Sequence, residues 1–117
     1  MALINKAQRQ QLIANGRARQ EATRDGRDFD PVPVVYLMAE QEWPRWLLTD
    51  IDPQDPDRAY GICDLGNVPE FGFVSRRALE GLRGLIGLDI RQAGGFVAYR
   101  PVSEYLDQLR IRGYLIP

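Results

Sequence analysis

Aspartates cluster between Thr49 and Asp57, and their carboxylates are the groups in this chain most able to do chemistry. Clustered carboxylates are oxygen ligands of the kind that Ca²⁺ and Mg²⁺ prefer. The spacing departs from the calcium-loop template, because Pro53 occupies an interior position and Gly61 stands where the bidentate glutamate belongs. We therefore expect no metal and no other cofactor, and we interpret the stretch first as a solvated turn bent by Asp-Pro pairs.

Three of the aspartates suggest a second kind of chemistry. Asp50 and Asp52 alternate onto one face of a predicted strand, and Asp64 belongs to the next strand along the chain. Paired carboxylates about 5–9 Å apart carry out glycoside hydrolysis, so a hydrolase is one function to test. The chain contains no histidine, the side chain most often used for proton transfer at neutral pH. We therefore rank a hydrolase third and expect a protein that is not an enzyme.

Cysteine and tryptophan supply the remaining candidates. Cys63 lies in a predicted apolar strand with no histidine to activate it, which favours a packing role. Trp46 opens an apolar run and is predicted to lie in the core. Trp43 stands beside Pro44 at a predicted turn, and an exposed tryptophan at such a position is a typical interface anchor.

The acidic stretch has a third interpretation, as an anionic protrusion that docks on a protein with a basic surface. Acidic surfaces steer association with such partners, although they are also common on proteins that bind nothing there. The residues predicted to contact the partner are Trp43, Asp50, Asp52, Asp55, Asp57 and Asp64.

Charge is unevenly distributed along the chain, although the net charge is only -1. Residues 1–27 carry a net +4, residues 28–70 a net -8, and residues 71–117 a net +3. Basic surfaces bind phosphates, so the alternative function is that of a nucleic-acid-associated accessory protein. The pI near 5.4 and the lack of a recognisable nucleic-acid motif argue against it. The arginines assigned to this alternative are Arg17, Arg19, Arg24, Arg27, Arg76, Arg77 and Arg83.

The first element that positions these residues is a predicted N-terminal helix. Asn5 and Gln8 have the spacing of a capping box, and Asn15-Gly16 predicts a left-handed stop. From Arg17 to Asp30 charged residues dominate, which indicates a frayed extension of the helix or a mobile connector.

Runs rich in β-branched and aromatic residues then predict four strands, over Val32–Met38, Trp46–Ile51, Ala59–Cys63 and Phe71–Val74. The links between them carry turn residues and are too short for helical crossovers, so neighbouring strands are predicted to run antiparallel. The acidic stretch falls in the turn between the second and third strands, from Asp52 to Asp57.

The last third of the chain is predicted to be mostly helical. Ser75 caps a helix that runs through Arg83, and a final helix covers Pro101–Arg112. Between them, Gly94-Gly95 leads into a predicted fifth strand, Phe96–Tyr99. We therefore predict a single α+β domain over residues 1–117: an antiparallel meander sheet of four to five strands, flanked by an N-terminal helix and two C-terminal helices. Residues 1–30 form the helix and charged connector, and residues 31–117 the sheet-and-helix body.

The start of the chain has neither the apolar run of a signal peptide nor the pattern of a transit peptide. The sequence also lacks an apolar run of about 20 residues, the length that a membrane-spanning helix needs. With only one cysteine, the chain cannot form an internal disulfide. These features predict a cytoplasmic protein.

The run from Trp46 to Gly66 resembles a family of short bacterial proteins classed as a domain of unknown function. The likeness continues through Pro69–Ser75, Leu79–Gly84 and Gly87–Arg91 and covers roughly residues 32–100. Members of that family often have a His-Phe pair after the last block, where this chain reads Gly94-Gly95-Phe96, so a role for that histidine does not apply here.

Members of the family are associated with plasmids, phages and integrative elements, and the family offers no catalytic residues to carry over. The resemblance therefore implies a mobile genetic element. We predict a non-enzymatic protein-interaction module that binds a host or element protein. Inhibition of a host defence complex through the acidic hairpin is its most concrete version.

Overall fold

The computed structural model describes residues 3–40, 43–85 and 90–117, and it describes their side chains except for residues 83–85. The predicted role of Arg83 in nucleic-acid binding therefore lies outside the described side chains. In chain order the elements are α1 (Lys6–Arg24), β1 (Val35–Ala39), β2 (Arg45–Asp52), β3 (Asp55–Asp64), β4 (Glu70–Ser75), α2 (Arg76–Leu85), β5 (Ile90–Gln92) and α3 (Val102–Arg112).

The strands form one antiparallel sheet in the order β4-β3-β2-β1-β5. This arrangement confirms the predicted α+β class and the four-stranded meander. The predicted fifth strand, Phe96–Tyr99, is wrong, because the fifth strand is Ile90–Gln92, which pairs with the far side of β1. Phe96 and Ala98 instead pack under α3, and the Tyr99 N–H donates to the hydroxyl of Tyr105 at 2.9 Å.

Each face of the sheet carries its own apolar core. On the first face, α1 and α2 cover a cluster that includes Leu12, Trp46, Leu48 and Leu79. On the second face, α3 covers Leu47 and Ile62 with a cluster of its own side chains, Val102, Tyr105, Leu106 and Leu109. Neighbouring residues of β2 alternate between the two clusters because successive side chains of a strand point to opposite faces.

The capping box of α1 is confirmed, since the Asn5 and Gln8 side chains each accept from the other's backbone N–H. The predicted stop at Gly16 is wrong, and the helix continues to Arg24. Gly16 instead allows α1 to pack closely against β2, because a Cβ at this position would lie 1.9 Å from the carbonyl oxygen of Ile51. Only glycine lets α1 lie so close to β2.

That approach covers a stretch of β2 that β1 leaves open. β1 begins at Val35 opposite Leu48, so among the described strands β2 has no neighbour on that side beyond Leu48. The Asn15 side chain donates to the carbonyl of Thr49 at 2.9 Å in place of a strand. This contact satisfies a backbone group that the sheet leaves unpaired.

Of the two alternatives predicted for Arg17–Asp30, the extension of the helix is confirmed through Arg24. The connector that follows is anchored and does not fit the other alternative, a mobile segment. The carboxylate of Asp30 accepts from the N–H and the hydroxyl of Ser103, and the Pro31 carbonyl accepts from the N–H of Val102. The connector therefore caps the start of α3, an element more than 70 residues later in the chain.

Candidate functional site

The acidic hairpin, Asp50–Asp57, is closed by a two-residue turn at Pro53 and Gln54 between β2 and β3. The carboxylate of Asp52 accepts from the Gln54 N–H at 2.9 Å, and that of Asp55 accepts from the Asp57 N–H at 3.3 Å. These are local turn contacts of a kind that aspartate commonly makes. Asp52 is half-buried and Asp55 is exposed.

Asp57 lies in β3 and bonds to the start of α2. Its carboxylate accepts from the Ser75 hydroxyl at 2.6 Å and from the Arg77 N–H at 2.8 Å, while the Ser75 oxygen accepts from the Ala78 N–H. The hydrogen bonds from Ser75 and then Arg77 lower the pKa of Asp57 from its ordinary value. The predicted Ser75 cap is therefore confirmed, and Asp57 extends it.

Asp50 is buried, with only 3% of its surface exposed. Its carboxylate forms two hydrogen bonds with the guanidinium of Arg19 on α1, at 2.7 and 3.0 Å, and also accepts from the hydroxyl of Thr49. A paired and buried carboxylate is not available to a partner surface. Asp50 therefore joins α1 to β2 and does not contribute to the exposed charge of the acidic hairpin.

Asp64 lies at the other end of the β2–β3 pair and is also buried. It accepts from the Arg45 guanidinium at 2.7 Å and from the indole N–H of Trp43 at 3.1 Å. Its second oxygen accepts from the Gly66 N–H at 3.1 Å. Arg45 in turn donates to the carbonyl of Gly113 at 2.7 Å, so the Arg45–Asp64 pair ties the end of α3 to the sheet.

These positions separate the carboxylates predicted for hydrolysis. Asp50 pairs with Tyr60 across the sheet, whereas Asp64 pairs with Arg45, four residues further along β3. At about 3.3 Å per residue that offset is roughly 13 Å, which is beyond the spacing of a glycosidase pair. The register also shifts between Ile51 and Asp52. The geometry thus assigns Asp50 and Asp64 to separate arginine pairs.

The end of the sheet that contains Asp64 presents large apolar side chains to solvent. We name it the Trp43 surface, and its residues with their exposed fractions are Trp43 (44%), Leu65 (64%), Val68 (62%) and Tyr114 (56%).

The buried Arg45–Asp64 pair positions three of these four residues. Trp43 bonds to Asp64, Leu65 follows Asp64 in the chain, and Tyr114 follows the carbonyl that Arg45 binds. Val68 precedes Pro69, whose carbonyl accepts from Arg110 of α3 at 3.2 Å. Of the residues predicted to contact a partner, Trp43 and Asp64 therefore lie together, one exposed and the other supporting it.

A further exposed patch escaped the sequence reasoning. On the face of the sheet that α3 covers elsewhere, Tyr60 of β3 contacts Phe71 and Phe73 of β4, at ring-centroid distances of 6.1 and 4.8 Å. The guanidinium of Arg19 lies 4.3 Å from the Tyr60 centroid, and that of Arg58 lies 3.7 Å from the Phe73 centroid. We name these three rings and two arginines the aromatic face. The sequence feature that could have revealed this face is Phe71-Gly72-Phe73, because every second residue of a strand points to the same side and both rings therefore lie on one side of β4.

The arginines predicted for nucleic-acid binding divide between two elements. Arg17 and Arg24 are exposed on α1, Arg19 is bound to Asp50, and Arg27 pairs with Asp25 at 3.2 Å just after the helix. On α2, Arg77 is exposed, and Arg76 donates to the Pro56 carbonyl at 2.7 Å.

A cavity of about 750 Å³ lies between the acidic hairpin, α2 and the start of the chain. Its apolar lining includes Leu3, Leu37 and Leu79, and its polar lining includes Asp57 and Arg76. Both of these charged groups already hold the hairpin to α2. They therefore have a structural role at this cavity.

Within the described ranges, no three histidine, cysteine, aspartate or glutamate side chains are grouped to hold a metal ion. Burial raises the pKa of the Cys63 thiol, and this half-buried side chain packs against the first core. The helices of the described residues are too short or too polar to cross a membrane.

The fold and these surfaces define a small α+β protein built on one antiparallel sheet. The chain belongs to the family described as "Protein of unknown function (DUF2958)", whose model matches residues 3–116. Comparison with curated proteins and with solved structures gives no match.

Proposed function

We propose that this protein is a non-enzymatic protein-interaction module and that it binds its partner through the Trp43 surface. The observation that carries the proposal is the exposure of four large apolar side chains at one end of the sheet. Large apolar side chains exposed at one end of a domain are typical of interaction sites. Tryptophan and tyrosine are also the residues most often found as energetic anchors of interfaces.

The support beneath Trp43 strengthens this proposal. Its indole N–H is bound by Asp64, and the Arg45 guanidinium lies 4.9 Å from its ring centroid. A ring held in this way loses little conformational freedom on binding, so more of the contact energy remains for affinity. The two buried charges at Asp64 and Arg45 therefore position the anchor and do not touch the partner.

The acidic hairpin remains the predicted docking element for a basic partner surface. Asp52 and Asp55 are its most accessible carboxylates, because Asp50 is buried and Asp57 is engaged by α2. The two surfaces lie at opposite ends of β2, roughly 20–25 Å apart. The exposed apolar area favours the Trp43 surface as the binding site.

The setting we propose is a mobile genetic element, which rests on the resemblance of the sequence to proteins of plasmids, phages and integrative elements. The partner is then a host or element protein, and the most concrete version is inhibition of a host defence complex. A small module that exposes a rigid apolar anchor is suited to blocking a site on a larger complex.

Copurification with matched variants tests the proposal. The tagged protein, Leu65→Ser with Tyr114→Ser, and Asp52→Asn with Asp55→Asn are each used to capture proteins from the source organism. We expect at least one protein to copurify stoichiometrically with the wild type and the Asn variant and to be lost with the Ser variant. Loss with the Asn variant alone would move the binding site to the acidic hairpin and overturn our assignment.

A further inference from the structure

The aromatic face has exposed arginines near its rings, whereas the arginine beside Trp43 is buried and paired with Asp64. Phe71 and Phe73 are 40% and 53% exposed on β4, the strand at one edge of the sheet. The rings point to the same side because they are two residues apart. Tyr60 of the neighbouring strand lies opposite Phe73 and contacts both rings. The result is a row of rings on an open part of the sheet.

A cation lies at each end of this row. Arg58 is exposed, and its guanidinium lies 3.7 Å from the Phe73 centroid. Arg110 of α3 is exposed and donates to the carbonyl of Pro69, two residues before Phe71. The rings are thus flanked by positive charge along the direction of β4.

The acids on this side of the sheet do not cancel that charge. Asp50 and Asp64 share the face with Tyr60, and both are buried and bonded to arginines other than Arg58 and Arg110. Glu70 alternates onto the opposite side of β4, together with Gly72. The aromatic face therefore offers apolar rings beside two exposed arginines, Arg58 and Arg110, while the exposed Asp107 lies one turn before Arg110 on α3.

We propose that the aromatic face binds single-stranded nucleic acid. Bases would stack on Phe71 and Phe73, which accept any base because every base has a π-face. Arg58 and Arg110 would contact the flanking phosphates. A duplex would bind more weakly, because its paired bases are not free to stack on the rings. This site adjoins the Trp43 surface at Arg110, whose bond to the Pro69 carbonyl lies beside Val68. It uses none of the arginines first assigned to nucleic-acid binding except Arg19, whose guanidinium lies against the Tyr60 ring.

Fluorescence anisotropy with a labelled oligo(dT) of about 12 nucleotides tests this proposal at low salt, about 50 mM, where phosphate contacts are strongest. We expect Phe71→Leu and Phe73→Leu each to weaken binding about 5- to 150-fold, the range that corresponds to loss of one stacked base. Arg58→Gln should weaken binding. It should also reduce the slope of the logarithm of the binding constant against the logarithm of the salt concentration by about one, the change expected for loss of one phosphate contact.

Three controls make the outcome decisive. Phe73→Tyr keeps a ring and should bind as the wild type does, which separates stacking from any effect on folding. Arg17→Gln removes the same charge from α1, and Trp43→Leu removes a ring from the Trp43 surface; neither should change binding.

The proposal is overturned if oligo(dT) does not bind at low salt. It is equally overturned if Arg17→Gln weakens binding as much as Arg58→Gln while the phenylalanine variants bind normally, or if a duplex of equal length binds as tightly.

Discussion

The two ends of the β2–β3 hairpin differ in the side chains that they expose and in the way those side chains are bonded. At the acidic hairpin, Asp52 and Asp55 bond to the turn backbone, and Asp57 bonds to the start of α2. At the other end, a buried arginine–aspartate pair supports large apolar side chains that face solvent.

This contrast shows that a dense cluster of charge is weak evidence for a binding site. Charged turn residues have water and nearby backbone groups as ready partners, so leaving them exposed costs little. A large apolar side chain gains nothing from water, so a group of them at one end of a domain is informative. The comparison can be tested by disturbing each end separately.

The largest effect is expected at the support of the Trp43 surface. Asp64→Ala leaves the buried Arg45 guanidinium without its carboxylate, and breaking a buried pair in this way costs about 3–5 kcal/mol. Urea unfolding measures the free energy of unfolding directly. A cost below about 1 kcal/mol, the range of exposed pairs, would show that this end is not held by the buried pair.

Near the acidic hairpin, Gly16→Ala is expected to destabilise the protein by about 1–3 kcal/mol, because the new Cβ would meet the Ile51 carbonyl at 1.9 Å. A glycine-to-alanine change at an unconstrained helix position stabilises a protein by about 1 kcal/mol. The sign of the change in unfolding free energy therefore shows whether the new Cβ is crowded. Gly81→Ala in α2 is the matched control, since its Cβ would meet nothing within 4 Å. Stabilisation by Gly16→Ala would contradict the close packing of α1 against β2.

The cap at the start of α2 is expected to contribute less. Ser75→Ala removes the acceptor for the Ala78 N–H and should cost about 1 kcal/mol, as for other helix caps. Thermal or urea unfolding checks the value. An unchanged stability would mean that Asp57 caps the helix without help from Ser75.

Asp57 also gives the acidic hairpin a pH dependence. Its pKa is lowered in the folded protein by hydrogen bonds from Ser75 and Arg77, so its contribution is fully present above the unfolded pKa, near 4. That contribution is lost as the pH falls through the lower, folded pKa. The difference in unfolding free energy between wild type and Asp57→Asn should be constant from about pH 5 to 7 and shrink below about pH 4. A difference that grows on acidification would contradict the assignment.

The smallest effect on stability is expected at the exposed residues of the Trp43 surface. Leu65→Ser should change the unfolding free energy by less than about 0.5 kcal/mol, because its side chain is mostly in water. A large loss of stability would mean that Leu65 packs within the protein and is not offered to a partner. Differential scanning calorimetry of the purified variant and the wild type measures this difference in stability.

The parts of the fold that depend on local signals were predictable. The four strands of the meander and the caps at Asn5 and Ser75 depend on signals within a few residues, and these predictions are confirmed, although β3 begins at Asp55 and not at Ala59. Gly16 was misread because a glycine that permits close packing has the same local sequence signal as a helix stop. The three-residue strand at Ile90 has too short a pattern to distinguish from a loop.

The candidate sites were only partly predictable for a related reason. Trp43 was recognised from its turn and its type, but the burial of Asp50 and Asp64 depends on Arg19 and Arg45, which come from other parts of the chain. The aromatic face likewise exists only because β3 and β4 bring Tyr60 beside two phenylalanines. A local pattern such as Phe71-Gly72-Phe73 places two rings on one side of a strand, but it does not show which residues of other strands lie beside them.

Site-specific photo-crosslinking tests the central claim most directly. A photo-reactive phenylalanine analogue is placed at Trp43, Leu65 or Tyr114 of the Trp43 surface, or at Gln54 in the turn of the acidic hairpin, and each protein is irradiated in cells of its source organism. We predict that the first three positions crosslink to the same partner protein and that position 54 does not. Crosslinks from position 54 alone would contradict the account and assign the interface to the acidic hairpin.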